Sequence, residues 1–319
     1  MPQINQTMPS SSVTEGLDSE LPRDSWVVSG TVRLAVRERG LKGRPPVLLL
    51  HGYPDQQEVW EAVAERLASE FHVISYDVRG AGRSDRPARV GDYRLELLAD
   101  DLRAVIAAVS PERPVHLVAH DWGSIQSWEA VGVDSAPRYF ASFTSISGPC
   151  IDHVGEWLQD LRRGRGREEA GPLLRQMLHS WYIGMFQLPG LAPLVWRAGL
   201  GRVWHRLLSR QEQVRALASA TQTADGIAGI RMYRANFPAR LRRPQPRTVN
   251  LPVQLLIATG DPYVAPAFLR ALLRQRASRL PQLQTRELSG GHWQPLAQPD
   301  RLAGLVREFV LAQEARRPA

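Results

Sequence analysis

The sequence predicts an α/β protein: a mostly parallel sheet with helices on both faces and a helical block inserted ahead of its last strands. Three observations carry that expectation. Strand-length apolar runs alternate with amphipathic stretches between residues 47 and 146, the βαβ order that builds a parallel sheet. The rhythm stops over residues 150–248, which are helical in pattern and rich in Arg, Trp and Leu, and it returns at residue 253. A chain of 319 residues with 43% hydrophobic content can fill one large core and a subdomain.

Taken in order, residues 1–24 are polar and read as a flexible leader. Alternation from Trp26 to Val36 predicts two antiparallel strands. Val47 to Leu50 is a buried strand, far short of the roughly 20 apolar residues a bilayer demands. A helix over 58–69 and a strand over 73–78 follow, then a turn at Gly80-Ala81-Gly82. Leu98, Leu102, Val105, Ile106 and Val109 repeat at helical spacing within 95–109. The strand 115–120 ends abruptly in Asp121-Trp122-Gly123, followed by a helix to 133 and a strand over 140–146. Beyond the block come a strand at 253–258, a helix at 265–274, a strand at 283–288 and a closing helix at 300–314. The expected division is a core of 25–149 with 249–319 and a helical cap of 150–248. Such a cap lies over the C-terminal edge of the strands, where open α/β sheets bind ligands.

Composition narrows the function. The chain carries 40 Lys and Arg against 32 Asp and Glu, a net charge of +8, and Lys42 is its only lysine. Residues 150–250 hold 16 Arg against 7 acidic residues, so a surplus of +9 sits there and the remainder is at −1. That surplus reads as a solvated arginine surface in preference to an anionic-lipid site; membrane association is not expected, and a homodimer stays open. No nucleic-acid recognition motif accompanies the charge. The single cysteine, Cys150, excludes an internal disulfide and a cysteine zinc site, and no base partner marks it as reactive. The first 20 residues show no apolar h-region, so the cytoplasm is the expected compartment.

Ala119-His120-Asp121-Trp122-Gly123 has the form of a nucleophile elbow, small residues two places either side of an apex on a strand-to-helix turn. The usual occupant is Ser; here it is Asp. A carboxylate there attacks an electrophilic sp3 carbon and becomes an alkyl ester, whereas a helix N-cap aspartate is the bland alternative. His51-Gly52-Tyr53-Pro54 follows the 47–50 strand, placing the Tyr53 and Trp122 amides as an oxyanion hole. Asp261, in Thr259-Gly260-Asp261-Pro262-Tyr263-Val264, and His292, in Gly290-Gly291-His292-Trp293, each follow a strand. Asp152, after the strand before the cap, is the alternative relay acid. His72 and His116 read as packed or edge residues, and His120 as pointing away from the apex. Asp77 with Arg79 to Gly82 reads as a structural turn near the rim.

With these segments, and with Ser142-Phe143-Thr144-Ser145-Ile146-Ser147-Gly148-Pro149, the sequence from about Ser29 onward resembles the epoxide hydrolases of the α/β-hydrolase fold. In detail it is similar to the hydrolase half of bacterial proteins that fuse this domain to a short-chain dehydrogenase; no dinucleotide fingerprint follows here. The resemblance implies two cap tyrosines on the epoxide oxygen, at the matching positions Tyr182 and Tyr233. A neutral phenol, with its ordinary pKa near ~10, can donate to an alkoxide at pH 7. It also implies a catalytic aspartate–histidine–aspartate set of Asp121, His292 and Asp261, a small apolar epoxide and water as substrates, and neither cofactor nor metal. Trp181, Met185, Phe186, Leu188, Trp196 and Trp204 suggest an apolar cavity in the cap. The alternatives are a haloalkane dehalogenase using the same residues, disfavoured by Tyr53 and the cap tyrosines, and a non-catalytic ligand-binding member of the fold, disfavoured by the intact set.

Overall fold

In the computed structural model, which describes residues 21–317, eight strands form one sheet. They are β1 (Arg23–Ser29), β2 (Val32–Arg39), β3 (Pro46–Leu50), β4 (His72–Tyr76), β5 (Val115–His120), β6 (Phe140–Ile146), β7 (Val253–Ala258) and β8 (Leu283–Leu288). Their spatial order is β1-β2-β4-β3-β5-β6-β7-β8. β1 and β2 form an antiparallel hairpin, β2 runs antiparallel to β4, and every later pairing is parallel. The leader expected over 1–24 lies outside the described residues as far as residue 20, and its end needs correcting. Arg23 and Asp24 already pair with Glu38 and Arg37 in the hairpin, and the Asp24 carboxylate accepts from Arg37 Nε at 2.9 Å.

The parallel strands β3, β4, β5 and β7 are buried along their whole length, which explains their largely apolar sequences. The outer strands β1 and β8 instead expose charged residues along the sheet edges, discouraging edge-to-edge pairing. Helices α1 (Glu61–Leu67) and α12 (Pro299–Glu314) cover one face around Trp60, Val63, Leu67, Val306 and Val310. α2 (Leu95–Val109), α3 (Trp122–Val131) and α10 (Pro266–Gln275) cover the other, where Leu98, Leu102, Ile125 and Phe268 are buried. Two expected elements shift. The helix expected over 58–69 opens as a 3-10 turn, Gln57–Trp60, before α1. The strand expected over 73–78 closes at Tyr76 because the Asp77 carboxylate caps the Gln57 and Arg83 amides at 2.9 Å each, turning the chain.

Between β6 and β7 the chain makes a helical excursion: α4 (Ile151–Arg162), α5 (Ala170–His179), α6 (Trp181–Gln187), α7 (Leu191–Val195), α8 (Gly201–Glu212) and α9 (Gln222–Arg242). A buried ionic cluster fastens its base. Arg247 reaches Asp152 of α4 at 3.1 Å and Glu129 of α3 at 2.6 Å, while Arg240 of α9 reaches the same two carboxylates at 3.2 and 2.8 Å. The first and last stems of the excursion are thus joined to each other and to the core helix α3. Among the described residues no helix is long and apolar enough to cross a membrane. α11 (Gln294–Ala297), a single turn after β8, has no counterpart in the sequence pattern.

Candidate active site

Asp121 joins β5 to α3 with φ 50° and ψ −120°, a conformation strained for a side-chain-bearing residue. Its amide donates to Ile146 O and its carbonyl accepts from Ile125 N, both at 2.9 Å, so the turn is fixed from both ends. Glycines allow the crowding. A Cβ on Gly123 would collide with the Leu50 and His51 carbonyls, one on Gly148 with the Asp121 carbonyl, and one on Gly52 with the Asp121 carboxylate. Gly123 is the small residue the elbow pattern demands. Gly52 and Gly148 are equally required, but they come from distant turns and no local pattern reveals them.

The structure brings Asp121, His292 and Asp261 together. Tyr53 N donates to Asp121 Oδ1 at 2.7 Å, and the other carboxylate oxygen, Oδ2, lies 3.6 Å from His292 Nε2. His292 Nδ1 meets Asp261 Oδ2 at 2.8 Å, while Asp261 Oδ1 accepts from the Tyr263 and Val264 amides at 2.8 and 2.9 Å. Burial works against a charge on His292, but the Asp261 and Asp121 carboxylates outweigh it and raise its pKa to about 10. Asp261 is pulled the other way: burial favours its neutral form, yet His292, then the Val264 amide and Ser147, hold its pKa below the usual value. The neighbouring acids thus favour the charged form of the imidazole between them. Of the two expected oxyanion amides, Tyr53's bonds the carboxylate. Trp122's is the first N–H of α3 and has no partner within its helix.

Tyr182 of α6 and Tyr233 of α9 line two cavities that meet at Asp121. The smaller, about 250 Å³, runs between α4 and α5 along Leu158, Leu173 and Phe268. The larger, about 710 Å³, passes Trp181, Met185, Phe186, Trp196 and Trp204 toward His292. Leu188 does not join them; it is exposed. Burial first, then the Asp121 charge, pushes the Tyr182 phenol up; burial first, then Tyr182, pushes up Tyr233. Both stay neutral phenols. The Tyr53 ring packs 5.3 Å from Tyr233, and its hydroxyl donates to Gly226 O at 3.0 Å while accepting from Trp196 Nε1 at 2.9 Å. Gly226 and Gly229 of α9 permit this, since a Cβ on either would strike Trp196 or Tyr53.

Other singled-out residues take structural places. Asp152 lies in the ionic cluster and not at His292. His72 pairs with Glu38 at 2.7 Å and His116 with Ser142 Oγ at 2.8 Å. His120 meets the His292 carbonyl at 2.9 Å, and burial, then the charge of His292, depresses its pKa to about 4. Arg79 is buried against Asp101, consistent with a structural turn. Burial, then Asp152, pushes the Cys150 thiol up to about 12. Sequence reasoning missed two acids. Glu212, the last residue of α8, accepts from the His292 and Trp293 amides at 3.2 and 3.3 Å. Asp55 accepts from Trp293 Nε1 at 2.8 Å, and burial lifts its pKa to about 7. Asp55 follows the His-Gly-Tyr-Pro segment directly and could have been marked from that; Glu212 carries no sequence signal. Among the described residues no group of three or more His, Cys, Asp or Glu is arranged to hold a metal.

A family described as alpha/beta hydrolase fold matches residues 45–168. The chain is 34% identical over 296 residues to a Mycobacterium tuberculosis protein named "Probable oxidoreductase EphD", covering 90% of this chain and 49% of that protein. It therefore spans about half the length of that relative. Epoxide hydrolase A of M. tuberculosis is 25% identical over 337 residues, covering 92% of this chain and 99% of the relative. A variant of an epoxide hydrolase from Bacillus megaterium, solved with its diol product, superposes with a TM-score of 0.73 at 21% identity, covering 90% of this chain and all of that one. With its eight-stranded, mostly parallel sheet and flanking helices, this chain has the α/β-hydrolase fold.

Proposed function

We propose that the chain is an epoxide hydrolase that forms a vicinal diol through an ester on Asp121. Residues 23–149 and 249–319 act as its core and 150–248 as its cap. Asp121 Oδ2 attacks the less hindered ring carbon and the C–O bond breaks. The departing oxygen takes a proton from Tyr182 or Tyr233, and the His292 imidazolium returns one to the phenolate. That leaves a neutral ester and a neutral imidazole. Losing the Asp121 charge removes one of the influences that raised His292, so the first step itself generates the base for the second. His292 then deprotonates a water that attacks Asp121 Cγ. The oxyanion forms on Oδ1, which Tyr53 N already holds at 2.7 Å, with the Trp122 amide as second donor. Collapse expels the diol oxygen, which takes the proton from His292, and the Asp121 carboxylic acid left behind passes its own proton to His292, restoring the starting carboxylate and imidazolium. Asp261 orients the imidazole throughout, and no step calls for a metal or organic cofactor.

The observation that carries this reading is one carboxylate facing both an imidazole, at 3.6 Å, and two neutral phenols across a shared apolar cavity. The phenols suit an oxygen leaving group, and the apolar linings suit a small lipophilic epoxide with water. Intact-mass measurement on His292→Gln, incubated with an epoxide the unaltered protein turns over, should show the chain heavier by one substrate. Absence of that adduct would sink the scheme. The Trp122 indole, which lines the cavity with Asp121, would suit a halide leaving group as well. Halide release from brominated alkanes without diol formation from epoxides would establish the dehalogenase. Ligand-induced stabilisation without turnover of either class would establish a binding protein.

A further inference from the structure

Charge alone reads as a solvated surface on the helical excursion, but the side chains between the arginines change that reading. Leu174, Met177, Leu178 and Trp181 follow the i, i+3, i+4, i+7 spacing that normally marks a helix's buried stripe. Here they are 57%, 53%, 75% and 68% exposed, while Leu173 and Gln176 turn inward. Leu194 on α7 and Leu207 on α8 are also exposed. Leu178, Trp181 and Val195 line the larger cavity as well, so the apolar surface reaches that cavity.

Residues 170–211 contain five arginines, Arg175, Arg197, Arg202, Arg206 and Arg210, and not one Asp or Glu. All five are exposed, and among the described residues none makes an ion pair. Arg240 and Arg247 at the base of the excursion, by contrast, are both bonded to carboxylates.

We propose that this face docks on an anionic phospholipid bilayer. The leucines and Trp181 enter the boundary between headgroups and acyl chains, the arginines bind headgroup phosphates, and the cavity mouth opens against the membrane. Leu and Trp interleaved with unpaired cations, with acids absent, is the composition such an interface requires. A second copy is a poorer occupant, because a two-fold contact would set these arginines against their own duplicates. The proposal is separate from the epoxide reading, since partition onto vesicles requires no turnover.

Co-sedimentation of the full chain with phosphatidylcholine vesicles, and with vesicles of equal parts phosphatidylcholine and phosphatidylglycerol, tests it. Partition should be about tenfold or more stronger onto the anionic vesicles, and should weaken in high salt. Arg202→Glu with Arg206→Glu, and separately Leu194→Asp with Leu207→Asp, should each cut anionic binding about tenfold. Unchanged melting temperatures would show that these surface variants fold. Equal partition onto both vesicles, none onto either, or undiminished binding by the folded variants would overturn the proposal. So would light scattering that finds a lipid-free dimer converted to monomer by Leu194→Asp with Leu207→Asp, because a second copy would then cover the face.

Discussion

The turns after β6 and β7 each lead to a buried aspartate, and the two have opposite surroundings. Asp152 faces two arginines, Arg240 and Arg247, whose charges also meet Glu129. Asp261 faces one imidazole and two backbone amides. The first environment is a buried set of ion pairs with each partner already engaged, so it holds structure. The second contains a partner that gains and loses protons, so it can take part in a cycle. Position after a strand does not distinguish the two acids; the groups brought to them by distant chain do.

The largest separation of the two should come from Asp261→Asn. It should lower turnover by roughly 10³–10⁴-fold while the fold persists, because the imidazole loses its orienting anion. Kinetics beside a melting curve would show this, and near-normal turnover would return the relay role to Asp152. Asp152→Ala should do the reverse, removing about 3–5 kcal/mol of stability by leaving buried arginines uncompensated. Turnover per folded molecule should stay within about twofold, since the change lies in a structural cluster. A stable but inactive Asp152→Ala protein would break the contrast.

Glu212→Gln tests whether the excursion also steadies the histidine. Losing the anionic acceptor of the His292 and Trp293 amides should lower kcat about tenfold and leave KM nearly unchanged. An equal rise in KM would indicate a role in substrate binding instead. The smallest effect concerns pH. In the ester form the Asp121 charge is gone, so His292 should titrate below the value of about 10 it has at rest. Single-turnover decay of the ester should rise with pH and level off beneath that point. A plateau reached only at or above it would contradict the charge coupling.

Much of the core is legible in the sequence because its signals are local. The 95–109 helix, the 115–120 and 140–146 strands, and the strands at 253–258 and 283–288 occupy the ranges their periodicity dictates. Asp121, Asp261 and His292 are legible for the same reason, each standing just beyond a strand. Tyr182 and Tyr233 are different. They sit on helices where many aromatics share the same spacing, so family resemblance singles them out and periodicity does not. Glu212 and the Gly226–Gly229 pair are invisible locally, because what they touch lies tens to well over a hundred residues away. The leader's end was misplaced because Arg23 and Asp24 look like linker residues, yet they meet partners on β2.

The absence of side chains at Gly226 and Gly229 has a practical consequence for anyone reshaping this protein. Both glycines make room for aromatic rings, and the ring at Gly229 belongs to Tyr53, whose amide holds the Asp121 carboxylate. Alanine at either place would be an ordinary gain in helix propensity on paper. In practice it would press on Trp196 or on Tyr53, whose amide positions Asp121, from the far side of the pocket. Mutagenesis libraries aimed at new substrates should therefore spare these two positions, where loss of rate would be mistaken for a change of preference.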